Sequence, residues 1–281
     1  MSVATATTAT ATDTIATVTT AAVTVEGVRV PYRIVGEGPL LVLVHGTGPG
    51  SGMWDQSIQR YAERHTVLIP DLSGSALVED DGGRLTVEGL AGQLAAVIED
   101  VGGGPADVLG FSMGATVALG LAALRPDLVR RLIPVAGWPD AEDEYLRNMM
   151  AVWRRLADDP DAFGRFAMIT AFSPGFLNAI GHDAVEATAG YMEPLPGTLR
   201  QIAYDVELDL KPLLPRITAP TLVIGCTLDA TVPVDNARRL HRLLPHSEYR
   251  EFASGHIVLA ERSEEFLATV LGFLAAGDDM R

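Results

Sequence analysis

Three residues that could share one reaction stand far apart in this sequence, each just after a short apolar run. Ser112 is the centre of Gly110-Phe111-Ser112-Met113-Gly114, between a run ending at Leu109 and a helix-length segment that stops at Pro126. A G-x-S-x-G turn reverses the chain so tightly that its serine takes a strained backbone and stands clear of the sheet. The helix that follows aims free N–H groups and the positive end of its dipole at the same spot, where acyl transfer would develop negative charge. Asp229 in Thr227-Leu228-Asp229-Ala230 and His256 in Ser254-Gly255-His256 add an acid and a base, in the chain order nucleophile, acid, histidine. Taken alone, the turn could also be a glycine-rich connection with an incidental serine.

The remaining partner is an electrophilic one. Leu40 to Val44 is continuously apolar, as a strand buried on both faces is, and runs into His45-Gly46-Thr47-Gly48-Pro49-Gly50. Such a loop leaves backbone amides free to face a ligand. Cys226 is the single cysteine, so neither a disulfide nor a cysteine metal cluster is expected, and a buried strand position suits it.

Positioning these residues requires a sheet whose strands end on one rim. Residues 23–35 alternate around Gly27 as a half-buried antiparallel hairpin. Further strands are expected at 40–44, 66–70, 106–111, 130–136, 221–224 and 248–252, with helices at 54–64, 87–101, 113–125, 234–244 and 257–274. Thr86 is the expected N-cap of the second of these, and 102–105 its stop. Strand and helix alternating at this spacing predict a mostly parallel, doubly wound sheet of about eight strands, with its crevice at the carboxyl strand ends. His45, Asp71, Ser112 and Trp138 all fall at that edge.

Between 138 and 215 the alternation gives way to successive helices without a convincing strand. We read this segment as a helical cap inserted between two parts of a core, 23–137 and 216–281. Trp138, Met149, Phe172 and Met192 are candidate substrate contacts in an apolar pocket, although packing between helices explains such residues equally well. Residues 1–22, mostly Ala and Thr, are expected to form a poorly ordered tail, with a pairing edge strand as the alternative.

The combined pattern resembles the α/β-hydrolase superfamily over about residues 23 to 275. The matches are Ser112 in GFSMG, Asp229 before Val232-Pro233, His256 in SGHIVLAERSEEF and the loop His45-Gly46-Thr47-Gly48. The resemblance implies an α/β-hydrolase fold with Ser112, His256 and Asp229 as catalytic residues and the Thr47 and Met113 amides as oxyanion hole. It also implies a serine hydrolase of an ester, lactone or thioester, with no metal or organic cofactor. Two departures are visible. The loop after Asp71 reads Leu72-Ser73-Gly74-Ser75-Ala76 and lacks the second glycine and serine common in relatives, and Gly225 to Asp229 is one residue longer than usual, which leaves Asp235 as a substitute acid. His65, His182, His241 and His246 lack a glycine-flanked strand end and are expected to be structural or superficial.

Bulk properties limit the alternatives. At 281 residues with 48% hydrophobic content the chain can bury one large core. A formal charge of −15 repels phosphate, which disfavours nucleic acid and anionic membrane partners and leaves a small molecule as the expected one. No apolar stretch reaches the roughly 18 residues of a membrane span, and no signal-peptide pattern opens the chain, so a cytoplasmic protein is expected. The same triad could serve C–C hydrolysis, acyl transfer, cyclisation or elimination in natural-product biosynthesis, and the fold could serve as a receptor that turns nothing over.

Overall fold

The computed structural model describes residues 17–276 apart from Pro49 and Gly103. Most of the expected tail, Pro49 of the glycine-rich loop and Gly103 of the 102–105 stop lie outside the described residues.

Eight strands form one sheet in the order β1-β2-β4-β3-β5-β6-β7-β8. They are β1 Val18–Val25, β2 Val28–Val35, β3 Leu40–Val44, β4 Thr66–Pro70, β5 Ala106–Phe111, β6 Val129–Val135, β7 Thr221–Cys226 and β8 Ser247–Phe252. β1 pairs antiparallel with β2, and β2 with β4, while all pairings from β4 to β8 are parallel. β1 begins inside the expected 1–22 tail. Val18 to Ala22 pair with Val35 to Pro31, because Thr and Val suit an extended edge and the hairpin gives them a ladder to join. The hairpin closes through Glu26 and Gly27, both at positive φ (50° and 86°), the backbone that a two-residue turn needs to match strand twist.

Helices cover both faces. α1 Ile58–Ala62 and α11 Ser263–Ala275 contribute to one apolar core, with Leu41, Leu43, Leu109, Ile133 and Ile224 from the sheet. α2 Val87–Asp100 and α3 Met113–Leu124 contribute to the other, with Val42, Val44, Val108 and Leu132. Alternate residues of one strand thus feed opposite cores, which is why these strands read as unbroken apolar runs. Thr86 caps α2 through the Gly89 amide, and its loss would cost about 1 kcal/mol.

Between β6 and β7 run α4 Glu144–Arg155, α5 Pro160–Ala171, α6 Pro174–Ile180, α7 His182–Ala189 and α8 Pro196–Asp205. The α7 sequence HDAVEATA has too few apolar residues to give a helical stripe, and only Ala189 is buried. The bridge Asp140–Asp209 closes this segment at its base. After β7 comes α9 Val234–Leu243, and the expected final helix is broken in two, α10 Val258–Glu261 and then α11. Among the described residues no helix is long and apolar enough to cross a membrane.

Register decides what meets at the carboxyl rim. Val44 pairs with Gly110, Phe111 with Val135, Val135 with Ile224 and Cys226 with Phe252. The residues next after each strand therefore share one edge.

Candidate active site

Ser112 holds φ 55° and ψ −122° at the junction of β5 and α3. A non-glycine residue rarely takes positive φ, and here several contacts enforce it. The Ser112 amide donates to the Val135 carbonyl at 2.8 Å. A Cβ at Gly110 would run into the Gly114 carbonyl, and one at Gly114 into the carbonyls of Val44 and His45. The two glycines of the turn are thus fixed by close backbone approach. Nearly all of α3 is buried, so the helix cannot tilt to relieve the turn.

His256 lies on the loop between β8 and α10, with its ring against that of Phe111, centroids 4.8 Å apart. His256 Nε2 is 2.8 Å from Ser112 Oγ and Nδ1 is 2.6 Å from Asp229 Oδ2. Because Asp229 can only accept as a carboxylate, Nδ1 carries the proton, which leaves Nε2 to accept from the serine hydroxyl. Asp229 Oδ1 takes the amides of Thr231 and Val232 at 2.8 and 2.7 Å. The carboxylate is therefore fully engaged while its side chain is wholly buried. The extra residue before Asp229 is accommodated where Thr227 and Leu228 donate to the carbonyls of Phe252 and Ser254. Asp235 sits instead on α9, paired with Arg238 and exposed. Of the other histidines, His65 is buried with Nδ1 at the Tyr61 carbonyl, His241 meets Ser247 and His182 is exposed.

The loop after β3 abuts the turn: a Cβ at Gly46 would come to 3.1 Å from Ser112 Cβ. His45 shapes it from beneath. It is fully buried, its Nε2 accepts the Leu72 amide at 3.0 Å, and its Nδ1 lies 2.8 Å from the Gly46 carbonyl. Burial drives its basicity down, which favours the neutral ring that this donor and acceptor pattern requires. The main-chain amides of Thr47 and Met113 have no hydrogen-bond partner among the described residues.

Sequence reasoning missed the grip of α8 on that loop. Gln201 Oε1 accepts the Gly48 amide at 2.8 Å, Gln201 Nε2 donates to the Ser73 carbonyl, and Thr47 Oγ1 donates to Asp205 Oδ2 at 2.6 Å. Both side chains are completely buried. A signal was present: two polar residues four apart lie on the helix stripe that also carries Thr198 and Ile202, the face that should bury. Burial pushes the Asp205 carboxyl up to about 7, against the opposing Thr47 hydrogen bond.

The four candidate pocket residues divide. Met192 covers the loop, since a Cβ at Gly48 would come to 2.9 Å from its Cε. Phe172 stacks on Phe176 at 5.2 Å and follows Ala171, whose carbonyl accepts the Ile257 amide beside His256. Trp138 and Met149 are packed into the core that α2 and α3 share with the inserted helices. The indole N–H of Trp138 is taken by the Asp205 carbonyl at 3.1 Å.

Residues 41–269 match the model of the Alpha/beta hydrolase family. Among curated proteins, the chain is 36% identical over 255 residues to a pyrrolizixenacetamide deacetylase from Xenorhabdus hominickii, covering 89% of this chain and 96% of that one. It is 30% identical over 248 residues to a putative carbamate hydrolase, RutD, from Azorhizobium caulinodans, covering 86% and 93%. Among solved structures it superposes with a TM-score of 0.83 on an alpha/beta hydrolase enzyme from a Medee basin deep-sea metagenome library, at 21% identity over 90% of this chain and 97% of that one.

Proposed function

The chain belongs to the alpha/beta hydrolase family and is a hydrolase of that type, and on that premise we propose that it cleaves an ester or amide of an apolar small molecule through an acyl-serine. The observation that carries this reading is the unbroken relay from Ser112 Oγ through His256 to Asp229, at 2.8 and 2.6 Å.

In this mechanism His256 Nε2 takes the Ser112 proton as Oγ attacks the substrate carbonyl, and Asp229 stabilises the imidazolium and holds its orientation. The amides of Thr47 and Met113 receive the developing oxyanion. A preorganised donor of this kind accounts for about 10²- to 10³-fold in turnover. The imidazolium then protonates the leaving alcohol or amine, and the C–O or C–N bond breaks. Water, deprotonated by His256, attacks the acyl-serine and releases the acid. Phe172 and Met192 form the apolar surround of the acyl group.

Amides enter the reading because a 36% identical relative is named a pyrrolizixenacetamide deacetylase, and a 30% identical one a putative carbamate hydrolase. Incubating the protein with a fluorophosphonate, p-nitrophenyl acetate and p-nitroacetanilide tests it. Labelling at Ser112 with release of p-nitrophenol or p-nitroaniline, both abolished in Ser112→Ala, is expected. A wild type that is neither labelled nor active would overturn the proposal.

A further inference from the structure

Asp205 is a buried acid that the acyl-transfer steps do not use. It closes α8, its side chain is completely buried, and Oδ2 accepts the Thr47 hydroxyl at 2.6 Å. Oδ1 is buried as well and has no hydrogen-bond partner among the described residues. A carboxylate anion in such a place would be poorly compensated, since a buried charge needs a cation or several donors.

Its surroundings offer neither. From the loop after β3 it meets Thr47, and from the start of the inserted segment Trp138, whose indole bonds the Asp205 carbonyl. On α8 itself, Gln201 spends its amide on Gly48 and Ser73, and Tyr204 turns its hydroxyl to Thr116 of α3. Of these only Tyr204 titrates, and burial drives its phenol far above neutrality. Among the described residues no cationic side chain pairs with Asp205.

Thr47 joins this acid to the reaction. Its hydroxyl is on Asp205, while its main-chain amide is one of the two donors assigned to the oxyanion. We propose that Asp205 is a positioning residue which, as the neutral acid, fixes Thr47 and so aims the Thr47 amide at the developing oxyanion, and that ionisation of Asp205 turns the site down. This rests on the acyl-serine reading above. The electrostatic reason is direct. Charge on Asp205 would stand one side chain away from the spot where negative charge must grow, in surroundings too dry to screen it. Because its carboxyl titrates at about 7, the change falls within the working range of pH.

The test is the rate of Ser112 labelling by a fluorophosphonate from pH 5 to 9.5, resolved into kinact and KI, for wild type, Asp205→Asn, Thr47→Val and Thr47→Ser. In the wild type kinact should fall about 10-fold on the alkaline side with KI steady. Asp205→Asn, neutral at every pH and still an acceptor for Thr47, should lack the alkaline fall. Thr47→Val keeps the shape of threonine but not the hydroxyl, and should lower kinact about 10- to 100-fold at all pH with KI within about twofold; Thr47→Ser should restore it. The same alkaline limb in wild type and Asp205→Asn, or wild-type kinact in Thr47→Val, would overturn the proposal while leaving acyl transfer intact. A wild type with no Ser112 labelling would remove both readings together.

Discussion

His256 Nε2 meets Ser112 Oγ at 2.8 Å although 144 positions separate them in the chain. Two strand ends, those of β5 and β8, carry the pair to one rim, so the contact depends on sheet register and not on any local motif.

Asp229→Asn probes the tautomer that this contact needs. The amide oxygen can keep the Thr231 and Val232 N–H groups, but the amide nitrogen then faces Nδ1 and drives the proton to Nε2, where it opposes the serine hydroxyl. Turnover of p-nitrophenyl acetate at pH 7 should fall about 10⁴-fold with KM nearly unchanged. Steady-state kinetics check this.

Gly114→Ala should disrupt the fold before it disturbs the chemistry. The new methyl would enter the carbonyls of Val44 and His45, backbone atoms that cannot move without shifting β3. Overpacking of this kind costs about 1–3 kcal/mol or more. A lowered urea midpoint with an unaltered m-value is the expected result.

Asp205→Asn should change the pH dependence of stability as well as of rate. The folded carboxyl titrates at about 7 and the unfolded one near 3.8, so the folded state holds the extra proton between those values. Stability therefore drops as pH rises from about 4 to 7, by about 4 kcal/mol in all, and stays low above that. Replacement by asparagine removes the drop. Its gain in melting temperature over wild type should be larger at pH 8 than at pH 5 by differential scanning fluorimetry.

Met192→Ala should widen the space over the oxyanion loop. Met192 lies against Gly48, so its loss removes apolar surface facing the proposed acyl group. For butyrate or hexanoate esters, kcat/KM should fall about 10-fold, mostly through KM, and acetate should be affected less. A uniform loss across chain lengths would place Met192 outside the acyl site.

The strands and the rim were legible because β3, β5 and β7 are buried on both faces and read as continuous apolar runs that stop at chemistry-bearing loops. The expected 66–70 strand coincides with β4 for the same reason. What the sequence did not yield is contact made through polar side chains on the inserted helices. Gln201 and Asp205 look like ordinary helix polar residues until α8 is set against the loop after β3. α7 and the start of β1 at Val18 have too few large apolar residues to register a period, and for β1 the structure takes the edge strand that stood as the alternative to a poorly ordered tail. Both are held by neighbours, α7 by the close approach of Gly164 to Ala189 and β1 by its ladder with β2.

The two hydrogen bonds from α8 to Gly48 and Thr47 also bear on how such an enzyme can diversify. α5 and the stretch after α7 reach the site too, Ala171 through its carbonyl to the Ile257 amide and Met192 through its contact with Gly48. α8 differs in holding that loop through polar side chains, so a replacement lacking Gln201 and Asp205 would release the loop after β3. Library design on this scaffold should therefore keep Gln201 and Asp205 and treat Met192 as a contact of the same loop.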